Sequence, residues 1–561
     1  MTDTTAVREV RQTSGAESRG RRLLFAVAGF EGKRIWRHPA LLLAVVITGY
    51  ELCQQVEWSR APVLNRDSYT SAWPMILLAA GVYFAIGTAA NRRHGIEDDD
   101  ALRGVPVTPV IQTLGIGLAF ISPLLVAILM QGTVLFLRSM NDPVTSIVWS
   151  EALVGPVTVA LGAAAGLAVG WSFRSPLAVP LAGVGFAAGV LTVWWVASGF
   201  LLGPYTPYLA PVATLDANQY TLEQAYRPSI QHLLYLILLA AFFAVVATLR
   251  GQERRGRILS TALAIILLAG VGWAGTAQLR ELAPAEEAAR RAPYDPVTGD
   301  YVCEQRSTVI YCAYRGYEAW IEEWAAEVEP VLALLPEQMA HRPLEIRQQV
   351  PYYEGLYESE DLLPIEGGVP AGMWWSRQPY DSDLVAHRLG MALGAAGWAV
   401  GFPNELLPIE ITIVDEEIVA EPGDPATTDP EFLSYRECAS NDQGRAVAAL
   451  WYATQSSPQS LEALRFQTSG ERYGGGLSPK DNFAIDLGYR QPASSVEYLR
   501  REALVALELD RLPRHEVATA FASRWDQLID PVTTTDEVAG WFGLSVPEMN
   551  RDVDSGTVPC P

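Results

Sequence analysis

Long apolar stretches separated by short polar ones fill the first half of the chain, and the second half breaks into shorter amphipathic segments. The apolar stretches predict membrane spans near 39–56, 71–90, 110–137, 152–173, 177–200, 232–249 and 259–278. Most approach the roughly 20 residues needed to cross a hydrocarbon core of about 30 Å. The first is the shortest: Pro39 to Tyr50 is apolar, but Glu51, Gln54 and Gln55 follow at once. An acid inside a bilayer is by default a functional hypothesis, yet Glu51 reads better as an interfacial residue at the helix end. The third stretch is long enough to tilt and carries Pro123 and Gln131. In the fourth, Gly162, Gly166 and Gly170 recur every four residues, on one helix face where a second helix can approach closely. Packing within the chain accounts for such a stripe more simply than a dimer seam does.

Ahead of the spans, residues 1–20 are polar and read as a disordered cytoplasmic tail. They lack the apolar core of a secretory signal peptide. Residues 21–37 differ, mixing Leu23, Leu24, Phe25, Val27, Phe30, Ile35 and Trp36 with Arg21, Arg22, Lys33, Arg34 and Arg37. This is either an amphipathic helix along the inner membrane surface or a basic flank that orients the first span. Beyond Gln278, helical spacing of Trp320, Ile321, Trp324, Val328, Val331 and Leu332 predicts a helix over Tyr317–Leu335. Further helices are expected at Asp383–Val400, Gln443–Thr454, Ser495–Leu509 and Arg514–Ile529, with strands at Glu345–Val350 and Glu410–Val414. The fold class that follows is a membrane α-helical bundle of about seven spans, 38–278, then a mainly helical α+β soluble domain, 279–561.

Charge sharpens this division. Residues 1–278 hold 20 Lys and Arg against 16 Asp and Glu, whereas residues 279–561 hold 21 against 47. The second half is thus strongly acidic, which argues against nucleic acid as its partner. With the N-terminus inside, the cytoplasmic segments carry 16 of the first half's cations, and the outer loops only Arg60, Arg66, Arg138 and Arg227. The positive-inside rule then fixes the orientation, and seven spans place 279–561 on the extracytoplasmic side of the plasma membrane. Cysteine usage agrees: Cys303, Cys312, Cys438 and Cys560 all follow the last span, an even number in an oxidising compartment. Three pairings are possible. Tyr301–Cys303 and Val309–Cys312 read as two strands joined by a polar turn, which favours Cys303–Cys312 and leaves Cys438–Cys560 by elimination. Free buried thiols are the alternative, especially for the second pair.

Motifs for chemistry are sparse. No phosphate-binding loop of the G-x-x-x-x-G-K-[ST] kind occurs, so ATP-driven work requires a separate ATPase chain. A zinc protease helix needs two His one turn apart with a Glu beside the first. His515-Glu516 is followed by Thr519 where the second His belongs, and His387-Arg388-Leu389-Gly390-Met391 has neither the Glu nor the second His. No residue is therefore assigned to catalysis, to a cofactor or to a metal. Paired carboxylates such as Glu322/Glu323 and Asp381/Asp383 are expected by composition alone in so acidic a domain.

One cytoplasmic loop is informative. Arg92-Arg93-His94-Gly95-Ile96-Glu97-Asp98-Asp99-Asp100 leads through Arg103 to Gly104-Val105-Pro106-Val107-Thr108-Pro109 and Gln112-Thr113-Leu114. A charged segment followed by such a sequence, together with Arg37-His38-Pro39-Ala40 at the entry to the first span, resembles the type-2 ABC exporter permeases of the large actinobacterial kind. The resemblance covers about residues 21–278. It implies a permease subunit that pairs with a second permease copy or paralogue and with cytoplasmic ABC ATPase subunits. The loop bearing Arg92, Arg93, Glu97, Asp98, Asp99, Asp100 and Arg103 would then be the ATPase contact. Such permeases usually have six spans, so the seventh, and the domain it exports, depart from the pattern. That domain's helical layout also resembles the gluzincin-like domains attached to some permeases, without the zinc residues. The runner-up readings are a membrane-anchored surface hydrolase and an envelope sensor or scaffold.

Overall fold

The computed structural model describes residues 22–55, 62–97, 109–173, 175–198, 209–211, 228–249, 254–280, 297–349, 368–371, 382–402, 443–469 and 500–546, with a few isolated positions between them. They form two compact units, divided near residue 288.

Among the described residues the first unit is helical apart from one isolated β-bridge, Val63 to Val144. Helix α1 (22–36) precedes α2 (Pro39–Gln55), the short α3 (Leu64–Thr70), α4 (Met75–Glu97), α5 (Pro109–Ala119) and α6 (Ile121–Ser139). There follow α7 (Trp149–Ala152), α8 (Val154–Ser172), α9 (Ala178–Ser198), α10 (Ser229–Thr248) and α11 (Arg254–Gln278). Among the described residues five helical stretches are long and apolar enough to cross a membrane: Leu64–Arg92, Thr113–Ser139, Trp149–Ser172, Ser229–Thr248 and Arg254–Gln278. Pro39–Gln54 and Ala178–Thr192 are shorter apolar helical stretches.

Proline sets the breaks that apolar patterning misses. The expected span 110–137 is two helices turning at Phe120, because Pro123 cannot donate to the carbonyl of Ala119 and its ring crowds that oxygen. The Ser122 hydroxyl takes the vacant place, donating to Ala119 O at 3.3 Å. The expected span 71–90 is likewise longer at both ends. Helix begins at Leu64, turns around Pro74 and runs on to Glu97.

The core of this unit is the contact of α4 with α8. Leu78, Val82 and Ile86 are buried with Val159, Ala163 and Leu167. The glycine stripe makes the contact possible: a Cβ at Gly162 would stand 2.5 Å from the carbonyl oxygen of Ala79, and those at Gly166 and Gly170 would meet the carbonyls of Tyr83 and Gly87. All three obstacles are backbone atoms of α4, which cannot swing aside. Gly166→Val should therefore destabilise the bundle by about 1–3 kcal/mol, seen as a lower melting temperature in detergent. Unchanged melting would show that the helices are not held this closely. α11 packs along α10 and makes no comparable contact with another helix among the described residues.

The second unit contains a four-stranded sheet ordered β1 (Tyr301–Arg306), β2 (Val309–Tyr314), β3 (Leu344–Gln348) and β4 (Gly368–Ala371). The first pair is antiparallel and the other two are parallel. The hairpin turn places Ser307 at φ 54°. α12 (Trp320–Leu332) carries Trp320, Ile321, Trp324 and Val328 into the core. The described helices of this unit also include α13 (Ser382–Val400), α14 (Gln443–Thr454), α15 (Pro458–Ser469), α16 (Arg500–Leu509), α17 (Arg514–Ser523) and α18 (Thr535–Gly540). The expected helix over Arg514–Ile529 breaks at Arg524 into α17 and a single turn, Trp525–Leu528. The strand expected at Glu410–Val414 lies outside the described residues.

Hairpin register puts Cys303 opposite Cys312, and the two form a disulfide. It closes a loop with a sequence separation of 9. Replacing both cysteines by serine should cost about 2–3 kcal/mol by the loop-entropy relation for a ring of this size, measured as the denaturation midpoint of the full chain. A midpoint that does not move would count against the bridge. Cys438 and Cys560 lie outside the described residues, and Cys53 is an exposed thiol at the end of α2.

Candidate functional site

The proposed ATPase loop is described at its two roots. Arg92, Arg93 and Glu97 occupy the last turns of α4, while Asp98, Asp99, Asp100 and Arg103 lie outside the described residues. The end of α4 is tightly held. Asn91 Nδ2 donates to Phe173 O at 3.3 Å and to Ser175 O at 2.7 Å, fastening it to the end of α8 and the α8–α9 connection. Arg92 feels the charges of Glu31 and Arg34, both on α1. The other root, α5, lies against the same helix: a Cβ at Gly115 would stand 2.5 Å from Val27 Cγ1. Trp36 Nε1 donates to Ser122 Oγ at 2.8 Å, extending the contact to the start of α6. α1 therefore lies beside both roots of the loop, packed against α5 and with Glu31 and Arg34 near Arg92. Glu31, Asn91 and Gly115 escape sequence reasoning because nothing local marks them; each matters through a residue on another helix.

Ser71, where α4's approach begins, is about 30 Å from Arg92 at 1.5 Å per residue. At that end lies a second polar group, this one buried. Asp67 on α3 accepts from Arg138 Nη1 on α6, with 7% and 6% of their side chains exposed. Arg66 also acts on Asp67 and is itself buried, as is Glu151 at 1% exposure. Gln131 Nε2 donates to Ser71 Oγ at 2.9 Å. Backbone pairing ties the neighbouring loops: Leu64 N donates to Val144 O and Val144 N to Pro62 O, while Val148 N donates to Ser68 Oγ. Arg66 and Arg138, expected in outer loops, are thus helical and buried, on α3 and α6. Asp67 pairs with Arg138 and lies close enough to Arg66 to feel its charge. Sequence gave one clue, an acid adjacent to Arg66, but not the partnership across 71 residues.

In the second unit, the residues nearest to zinc-site patterns have other partners. Arg388, where a zinc helix would carry its Glu, donates to Glu327 Oε1 at 2.6 Å and Glu323 Oε2 at 2.9 Å. Glu327 is 1% exposed, and its other oxygen accepts from the hydroxyls of Ser456, Ser457 and Ser460 at 3.0, 2.9 and 3.2 Å. One carboxylate therefore ties α12, α13 and the start of α15 together. Thr519, at the place of a second ligand after His515, donates its hydroxyl to His515 O at 2.7 Å. Among the described residues no group of three or more His, Cys, Asp or Glu side chains is arranged to hold a metal. Comparison with protein-family models, curated proteins and solved structures finds no match to this chain.

Proposed function

We infer that this chain is the membrane subunit of an ABC-type exporter, worked by cytoplasmic ATPase subunits and paired with a second permease copy or paralogue. One observation carries the reading: α1 lies beside both roots of the charged loop after α4, and α4 makes the most extensive helix–helix contact of the bundle, with α8. A push on that loop would move α1, α4 and α5 together, and α4 would transmit it to α8 and α6. The chain needs no nucleotide site of its own in this scheme, since ATP acts through the partner. The topology has seven spans, with α2 and α9 added to the five longer ones, a cytoplasmic N-terminus and an acidic domain on the extracytoplasmic side. That domain would handle substrate or a partner as cargo leaves.

The buried group around Asp67 and Arg138 supports a transport path with an outer closure, because ionic groups inside a bundle are costly and face its interior. A surface hydrolase remains the second reading, and the ion pairs of Arg388 weigh against it. The test is reconstitution of the full chain with an ABC ATPase that copurifies with it. Hydrolysis should rise on addition of the chain, and the variant E97Q/D98N/D99N/D100N/R103Q should lose the rise. Full stimulation by that variant would remove the loop from the coupling path, and no stimulation by the native chain would sink the exporter reading.

A further inference from the structure

The exposed face of α1 is charged in one sign only. Among residues 21–37 the one carboxylate is Glu31, and it is turned into the bundle at 3% exposure, on the side of Arg92. Ile35 is buried on the same inward face, and Val27 abuts α5. Arg22, Lys33, Arg34 and Arg37 are all exposed. At about 100° per residue, Arg22, Lys33 and Arg37 fall within roughly 60° of arc, with Phe30 and Arg34 beside them and Phe25 on the opposite flank. The two phenylalanines are 68% and 59% exposed, and the Arg34 guanidinium lies 5.4 Å from the Phe30 ring centre.

Water is a poor partner for such a face, since two large aromatic rings stay wet and four cations repel one another. A soluble protein partner would have to bring both carboxylates and aromatic pockets in a matching line. An anionic leaflet offers both at once: phosphate groups for the cations, and the acyl boundary just beneath them for the rings. The helix also ends two residues before α2 begins at Pro39, so it sits at headgroup depth if α2 enters the bilayer. We propose that the exposed face of α1 binds anionic phospholipid headgroups of the inner leaflet, with Arg22, Lys33, Arg34 and Arg37 holding phosphates and Phe25 and Phe30 inserting beside them. This holds independently of what the chain transports.

The probe is amide hydrogen exchange on the full chain in nanodiscs of phosphatidylcholine alone or with about one third phosphatidylglycerol. Residues 22–36 should exchange about tenfold more slowly on the anionic discs at about 50 mM salt. The difference should shrink below about twofold at about 500 mM, where charges are screened within about 4 Å. Exchange over 75–90, in α4, reports whether the bundle is intact and should not change. The variant R22Q/K33Q/R34Q/R37Q should lose the lipid dependence while keeping the α4 protection, and F25S/F30S should lose part of it. Equal protection on both kinds of disc, or a slowing that survives high salt, would overturn the proposal.

Discussion

Arg138→Leu should destabilise the membrane unit by about 3–5 kcal/mol, the usual cost of leaving one partner of a buried ion pair without the other. Asp67 would then be left buried without its guanidinium partner, with Arg66 still nearby. The readout is thermal unfolding of the purified chain in mild detergent. The control is the double variant D67L/R138L, which removes both charges and should recover most of the loss, because well-packed apolar pairs often match or exceed buried ion pairs. If the single variant melts like the native chain, the pair is not buried in the protein as purified. If the double variant is as weak as the single, the loss lies in packing of the Arg138 stem and not in charge.

The second large effect is expected at Glu327. Glu327→Leu takes one carboxylate from Arg388, leaving its bond to Glu323, and removes the shared acceptor of the Ser456, Ser457 and Ser460 hydroxyls, which keep only Ala453 O and one another. Lost charge-assisted hydrogen bonds and an under-paired guanidinium together should cost about 3–5 kcal/mol. Glu327→Gln keeps an acceptor for part of the set and should lose about half as much. Tryptophan fluorescence during denaturation checks both, since Trp324 and Trp451 lie in the core of this unit. Equal stability of all three proteins would mean that the carboxylate is not the tie between α12, α13 and α15.

The two sites differ in how far the sequence announces them. Apolar runs mark the spans because lipid demands a continuous apolar surface, and α8, α10 and α11 fall close to where hydropathy puts them. The glycine stripe of α8 is equally legible, since a four-residue spacing of small side chains has few other uses. The Cys303–Cys312 hairpin was readable from two short strands and their turn. Prolines at positions 74 and 123 could have signalled the helix breaks, but runs of hydropathy average over them. Partnership is what local pattern does not carry. Arg138 and Asp67 are 71 positions apart, and Arg388 and Glu327 are 61 apart. In an acidic domain Glu327 is one carboxylate among many, and only folding distinguishes it. Helices such as Pro458–Ser469 and Thr535–Gly540 were missed for a related reason, because their apolar positions are too few for a clear period.

Among the described residues α11 packs extensively only along α10, which bears on how such a chain could have been assembled and how it can be cut. A helix fastened in this way contributes little to the contact of α4 with α8. It can be gained or lost, with whatever follows it, without repacking α4 against α8. A chain ending at residue 249 should then insert and fold with the glycine-lined contact intact. On the proposed seven-span topology, the segment from residue 250 onward would then be a transferable cassette, a basic stop and an apolar helix that could carry a different domain on another helical bundle.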